Sequence, residues 1–335
     1  MTRRWLTLAG RALLGAAGLI ALAYVVWHDL AAWSAASRQS PAATPEPNKH
    51  ASASAPAHPV LRPSACGHLK IGWTAWADAE FVTQLAARLL REELGCDVQL
   101  VMTDIGVQYR GLASGELDLM LMAWLPVTHA PYFDKVAQSV VNLGPLYTGA
   151  RLGWAVPAYV PEGALSSIED MHKTVVTARL GGRIQGIDPG SGLMQASERA
   201  LVDYELSAYR LRGGSGAAMT AALERAIRLK RWIVVTAWSP HWMFARWDLR
   251  YLDDPKHILS QHERVYALAR HDFGRDFPSA VVDLITRMYI PMDELEQALL
   301  HAVDSSTQAA VDQYVREHPA RIRYWVSGAL QDHPE

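Results

Sequence analysis

The chain has 335 residues, with 32 basic against 34 acidic side chains and half of its residues hydrophobic. That length allows two domains and a sizeable core. The near-neutral charge lacks the basic excess that a polyanion partner demands, so no nucleic acid is expected. Twelve Trp stand against five Phe, a balance that favours rings with a strong π face.

The first 33 residues read as a signal or anchor helix. Arg3, Arg4 and Arg11 precede sixteen uncharged residues, 12–27. The arginines hold the N-terminus in the cytoplasm and send the rest across the inner membrane. The stretch is short for a membrane helix and long for a signal core. Ser34-Ala-Ala36 offers a cleavage site, so a retained anchor, the preferred reading, and a removed signal both stand. No cysteine follows the apolar run closely enough for a lipid anchor. Residues 34–65 hold six of the eighteen prolines, with many Ala and Ser. Such a segment buries too little apolar surface to order itself, and it is expected to be a disordered linker.

Cys66 and Cys96 each fall just before a candidate strand, over 69–76 and 97–102. A helix over 79–94, with Phe81, Val82, Leu85, Ala86, Leu89 and Leu90 at helical spacing, joins the two strands. A strand-helix-strand unit lays its strands parallel and side by side. Both cysteines then share one sheet edge, and a disulfide is predicted, formed in an oxidising compartment.

A short helix over 107–114 and a strand over 117–123 complete the start of a doubly wound α/β lobe. Residues 142–159, threaded with Gly and Pro, read as an extended crossing to a second lobe. There the sequence predicts a strand over 174–177, a glycine-rich loop over 185–192, a helix over 193–202, a helix over 217–230, and a strand running into Trp238. Residues 242–252 are expected to be the return crossing. Helices over 279–289, 292–303 and 306–317 are expected to pack back on the first lobe.

Three of the candidate strands end alike, in Ala-Trp: at Trp76, Trp124 and Trp238. In open α/β sheets ligands bind at the carboxyl ends of strands. Three indoles converging there would form a box whose ring faces suit a quaternary ammonium, which cannot donate hydrogen bonds. The loop Gly186-Ile-Asp-Pro-Gly-Ser-Gly192 runs into a helix N-terminus, a place that favours an anion such as a carboxylate. It also reads as a plain helix entry with Asp188 as N-cap. His129, five residues past Trp124, is a candidate donor to that anion; His241, beside Trp242, is open to the same reading. No spacing of His, Cys or acids indicates a metal, and no cofactor is expected. The Ser191 context lacks the hydrolase elbow, and no acid pair has a reason to meet, so no enzyme is expected.

Four motifs carry a resemblance: Ala123-Trp-Leu-Pro-Val-Thr-His129, Gly186-Ile-Asp-Pro-Gly-Ser-Gly-Leu-Met194, Ala217-Ala-Met-Thr-Ala-Ala222 and Trp238-Ser-Pro-His-Trp-Met-Phe244. With them the chain resembles the substrate-binding proteins of glycine betaine and choline ABC importers, from about Lys70 to Asp254 and more loosely beyond. The resemblance implies a two-lobe, periplasmic-binding-protein-like α/β fold, each lobe doubly wound and the two joined by crossing segments. Residues 66–150 and 250–335 would form lobe 1, residues 151–249 lobe 2, and an N-terminal membrane helix would precede them. It implies a periplasmic receptor, tethered to the inner membrane or released, that hands glycine betaine to an ABC importer permease. A choline- or carnitine-preferring receptor, or a tethered sensor of quaternary amines, is the alternative. The family's prism of three tryptophans falls on Trp76, Trp124 and Trp238, and its carboxylate contacts fall on the amides of Gly186 and Ile187 and on His129. One departure is that Ala77 stands where relatives carry an acid directly after the first box Trp; here Asp78 comes one residue later.

Overall fold

The computed structural model describes residues 66–259 and 262–330, which fall in one compact unit. The expected anchor helix and linker, residues 1–33 and 34–65, lie outside the described residues. Among those described, no helix is long and apolar enough to cross a membrane.

The chain opens with β1 (His68–Trp73), helix α1 (Ala77–Glu92) and β2 (Asp97–Met102). Strands β1 and β2 pair in parallel from His68↔Asp97 to Trp73↔Met102. This brings Cys66 and Cys96 to one sheet edge, with their Cα atoms 4.9 Å apart, and a disulfide joins them. Strand β1 stops at Trp73, short of the expected end, and Trp76 takes the N-cap position of α1. The α1 stripe of Phe81, Val82, Leu85, Ala86, Leu89 and Leu90 is fully buried. That is the packing its period of 3.6 demands.

Helix α2 (Ile105–Ser114) leads to β3 (Leu119–Leu125), buried along its whole length, and a single turn, α3 (Ala130–Phe133), follows. Strand β4 (Val140–Pro157) is the long crossing. Beyond it come α4 (Thr174–Leu180), β5 (Arg183–Gln185), α5 (Gly192–Asp203), β6 (Arg210–Arg212), α6 (Gly216–Arg228) and β7 (Val235–Ser239). The segment expected as a strand over 174–177 is therefore helical. Its β-branched run Thr174-Val-Val-Thr177 has Val176 and Leu180 buried four apart, and that helical spacing outweighs local propensity.

The turn α7 (Met243–Arg246) and β8 (Leu249–Tyr251) occupy the stretch expected to return to the first half. They do not return. Strand β8 pairs with the far end of β4, Leu252 and Leu259 are buried in the second half's core, and Asp254 accepts a hydrogen bond from Tyr204. The return is β9 (Glu263–Arg270), an antiparallel strand seated between β3 and β4. The expected division at residue 250 thus comes about a dozen residues early. Helices α8 (Phe273–Asp276), α9 (Ser279–Arg287), α10 (Met292–Asp304), α11 (Thr307–Glu317) and α12 (Pro319–Ser327) close the chain. Of these, α10 and α11 pack on α1.

One continuous sheet runs β2-β1-β3-β9-β4-β7-β5-β6, with β8 beside β4. Each end is parallel, β2-β1-β3 and β7-β5-β6, as in a wound α/β unit. The middle is antiparallel, because β4 and β9 cross between the ends in opposite directions. Gly153 on β4 lies under the Tyr251 ring, where a Cβ would collide with it. The carboxyl ends of β3 and β7 meet near the middle of the sheet, and the candidate site sits there.

Candidate functional site

Trp124 lies in β3, Trp238 in β7 and Trp76 at the head of α1, and all three rings line one small cavity. Only 7%, 3% and 4% of Trp76, Trp124 and Trp238 is exposed. Register fixes two of them: Trp124 pairs with Val265 on β9, and Trp238 pairs with Leu152 on β4, which also lines the cavity. Three large rings from distant segments thus enclose an apolar space with electron-rich faces, the geometry that suits a desolvated methylated cation.

Carboxylates hold two of the rings by their edges. Trp238 Nε1–H donates to Asp78 Oδ1 at 2.9 Å, and Trp76 Nε1–H donates to Asp188 Oδ2 at 3.0 Å. Asp78 is completely buried and also accepts from the Tyr147 hydroxyl at 2.6 Å. Burial raises its carboxyl above the usual carboxylate range, while Tyr147, Trp238 and the amides at the start of α1 oppose that shift. His241 is buried against Trp238, edge to face with ring centroids 4.4 Å apart. Its Nδ1 accepts from the Met243 amide, and burial pushes it down to about 3. His241 therefore acts as a neutral packing partner of the cage.

Thr128, His129 and Ser191 add polar side chains to the same lining. His129 is 1% exposed and lines the cavity. Its Nδ1 accepts the Trp124 backbone N–H at 3.1 Å. In the neutral ring that bond leaves the proton on Nε2, and burial holds the ring neutral by pushing its pKa down to about 3. The loop that carries His129 is braced from β9: Glu263 accepts from Thr128 N–H at 2.8 Å, from Thr128 Oγ1–H at 2.6 Å and from Val127 N–H at 3.4 Å. Glu263 is itself 1% exposed. No sequence signal marked it, because β9 itself was not foreseen.

The glycine-rich loop contributes differently from expectation. Ile187, Ser191, Gly192 and Leu193 line the cavity, but Gly186 does not. Its N–H donates to the Arg212 carbonyl at 2.8 Å, so that amide is spent within the sheet. Nor does Asp188 cap the helix: the cap is Ser191, whose side chain accepts from the Met194 amide. The first turn of α5 supplies the anion-favouring element instead, since the leading amides of a helix have no intrahelical partner and sit at the positive end of its dipole. Gly192 lets this turn approach the loop that carries His129, and a Cβ there would meet Thr128 O at 2.5 Å. The lining thus sets three indole rings beside one neutral imidazole and the start of a helix.

The sequence model described as the substrate binding domain of the ABC-type glycine betaine transport system matches residues 67–318. A curated relative, the glycine betaine/carnitine transport binding protein GbuC of Listeria monocytogenes, is 34% identical over 148 residues. The matched stretch covers 43% of this chain and 49% of that one, so the chain spans about half the length of the curated relative it matches. Lactococcal OpuAC, solved closed and complexed with glycine betaine, superposes with a TM-score of 0.72 at 30% identity, over 78% of this chain and all of that one. ProX from Borrelia burgdorferi, a glycine betaine/L-proline-binding protein, gives a TM-score of 0.72 at 28% identity, over 77% and 96%.

Proposed function

The chain belongs to the family of substrate-binding domains of ABC-type glycine betaine transport systems, and we propose that it captures glycine betaine, or a close quaternary ammonium analogue, for an ABC importer. The observation that carries this reading is the meeting of Trp76, Trp124 and Trp238 around one cavity that His129 and the first turn of α5 complete. The rings take the trimethylammonium group. His129 Nε2–H, the Ile187 backbone and the leading amides of α5 take the carboxylate.

Magnitudes support the division of labour. Desolvated cation–π contacts contribute up to ~2 kcal/mol each, so three rings supply at most about 6 kcal/mol. Hydrogen bonds to a charged group add roughly 1.5–3 kcal/mol each. Together they offset the freedom lost on association, an estimated 4–15 kcal/mol. The chemistry is capture and release: a neutral buried His and two carboxylates engaged by indole N–H groups offer no acid, base or nucleophile poised for turnover.

Two halves supply the site. Residues 66–150 with β9 and the C-terminal helices act as lobe 1, and residues 151–259 as lobe 2, hinged at the crossings β4 and β9. The ligand favours the closed form because groups from both lobes touch it only there. The family places such domains outside the cytoplasm. The uncharged stretch 12–27 would tether the domain to the inner membrane, facing its permease.

Calorimetric titration of the protein with glycine betaine, choline, carnitine and proline betaine tests the reading. Strong binding of glycine betaine with weaker binding of choline is expected, because choline lacks the carboxylate. An absence of heat from all four at pH 7 would sink the ligand class.

A further inference from the structure

The two hydrogen bonds that fix the cage rings both cross between the halves of the molecule, and they run in opposite directions. Trp76, from the first half, donates to Asp188 of the second. Trp238, from the second half, donates to Asp78 of the first. Each indole therefore spans the cleft with its Nε1 edge while its ring lines the cavity. Asp188 is free for this because Ser191 caps α5 in its place. Asp78 is anchored on its other oxygen by Tyr147, a residue of the crossing strand β4.

Neither bond survives separation of the halves. A ring that has lost its carboxylate partner also loses what fixes its plane, and with it the wall that a cation needs. A carboxylate accepting the indole N–H also pushes electron density into the ring, which strengthens the face turned to a cation. We propose that Asp188 and Asp78 are positioning residues forming a reciprocal clasp, through which capture of the cation and closure of the halves become one event. The proposal rests on the quaternary-ammonium reading of the site and adds to it the residues that set how long the ligand stays.

Both bonds bridge the halves, so on this proposal opening the halves breaks them, and the clasp governs escape while leaving encounter untouched. That distinguishes it from a merely structural role, which would lower the stability of the ligand-free protein as well. The experiment is stopped-flow binding of glycine betaine, with the melting temperature of the ligand-free protein, for the wild type, Asp188→Asn, Trp76→Phe and the double variant. Asparagine keeps the shape and an acceptor but removes the charge, and charge-assisted bonds are roughly twice as strong as neutral ones. Asp188→Asn is expected to raise the dissociation rate about tenfold, leaving the association rate and the ligand-free melting temperature unchanged. It should add nothing further in the Trp76→Phe background, since the donor is already gone. Asp78→Asn is expected to show the same signature through Trp238, and where burial makes that variant unstable, Asp188→Asn decides alone. A dissociation rate within twofold of wild type in Asp188→Asn, or an equal loss in the Trp76→Phe background, overturns the clasp while leaving the binding function standing. A wild type that binds no glycine betaine overturns both.

Discussion

The two ends of the cavity are made of different material. At the end proposed for the cation, three rings from distant segments line the cavity, and carboxylates hold the edges of two of them, Trp76 and Trp238. At the anion end, the groups on offer are one ring nitrogen and the backbone at the start of α5, held by a buried glutamate on β9 and by the close approach of Gly192 to Thr128. The first end depends on which residues are present. The second depends on where the backbone goes. A substitution at the cation end should therefore weaken every quaternary amine alike, whereas one at the anion end should separate ligands by whether they carry a carboxylate.

The largest effect is expected from Trp124→Ala. It removes one face of the cage and opens the cavity, and loss of a large buried ring also costs packing. Binding of glycine betaine and choline should both fall by more than about a hundredfold, measured by calorimetry, with the far-ultraviolet circular dichroism unchanged. Retained affinity for either ligand would erase the distinction between the ends.

Next comes Gly192→Ala. The added methyl meets the Thr128 carbonyl of the facing wall, so the cleft cannot close fully. Both ligands should weaken, and glycine betaine should weaken more, by about tenfold to a hundredfold, because the displaced turn carries the amides for its carboxylate. An unchanged betaine affinity would show that the walls do not meet as described.

His129→Phe keeps the ring volume and removes the Nε2–H donor. It should cost glycine betaine about tenfold or more, the value of one hydrogen bond to a charged group, and leave choline within about threefold. An equal loss for both would assign His129 to packing alone.

The legibility of the two ends follows the same line. Trp76, Trp124 and Trp238 stand out in the sequence because indoles at the ends of apolar runs are rare and local. A glycine-rich loop before a helix leaves open which N–H groups are spent in the sheet, and the pairing with the Arg212 carbonyl takes the Gly186 amide. Glu263 gives no sequence signal because β9, Glu-Arg-Val-Tyr-Ala-Leu-Ala-Arg, has no clear period, and its place between β3 and β4 arises from long-range pairing. Likewise the run 174–177 has β-branched residues but helical burial. The parallel unit of the first half is legible as strand, helix and strand; in the second half β5 and β6 are three residues each, too short to give a readable run, and of the antiparallel crossings only β4 stands out.

The smallest effect concerns pH. A histidine of ordinary pKa would gain charge below about 6.5 and strengthen carboxylate binding there. His129 stays neutral down to about 3, so the glycine betaine affinity should change less than about twofold between pH 8 and pH 5. Stability should respond more. His129 and His241 both have folded pKa values depressed to about 3, so the unfolded chain takes up their protons first and stability is lost as pH falls from about 6.5 toward 3. Asp78, raised by burial, acts in the opposite sense and offsets part of the loss. The melting temperature is expected to drop from pH 7 to pH 5, and His241→Gln should flatten that drop.

The proposed recognition turns on a positive charge held against three indole rings. The most direct measurement is the affinity of the protein for glycine betaine beside that for 3,3-dimethylbutanoate, which has the same shape and carboxylate but carbon in place of the ammonium nitrogen. Three cation–π contacts at roughly 0.5–2 kcal/mol each predict that glycine betaine binds at least tenfold tighter, and more where the cage is fully desolvated. Equal affinities would mean that the cavity recognises only bulk and a carboxylate, and would contradict the cage.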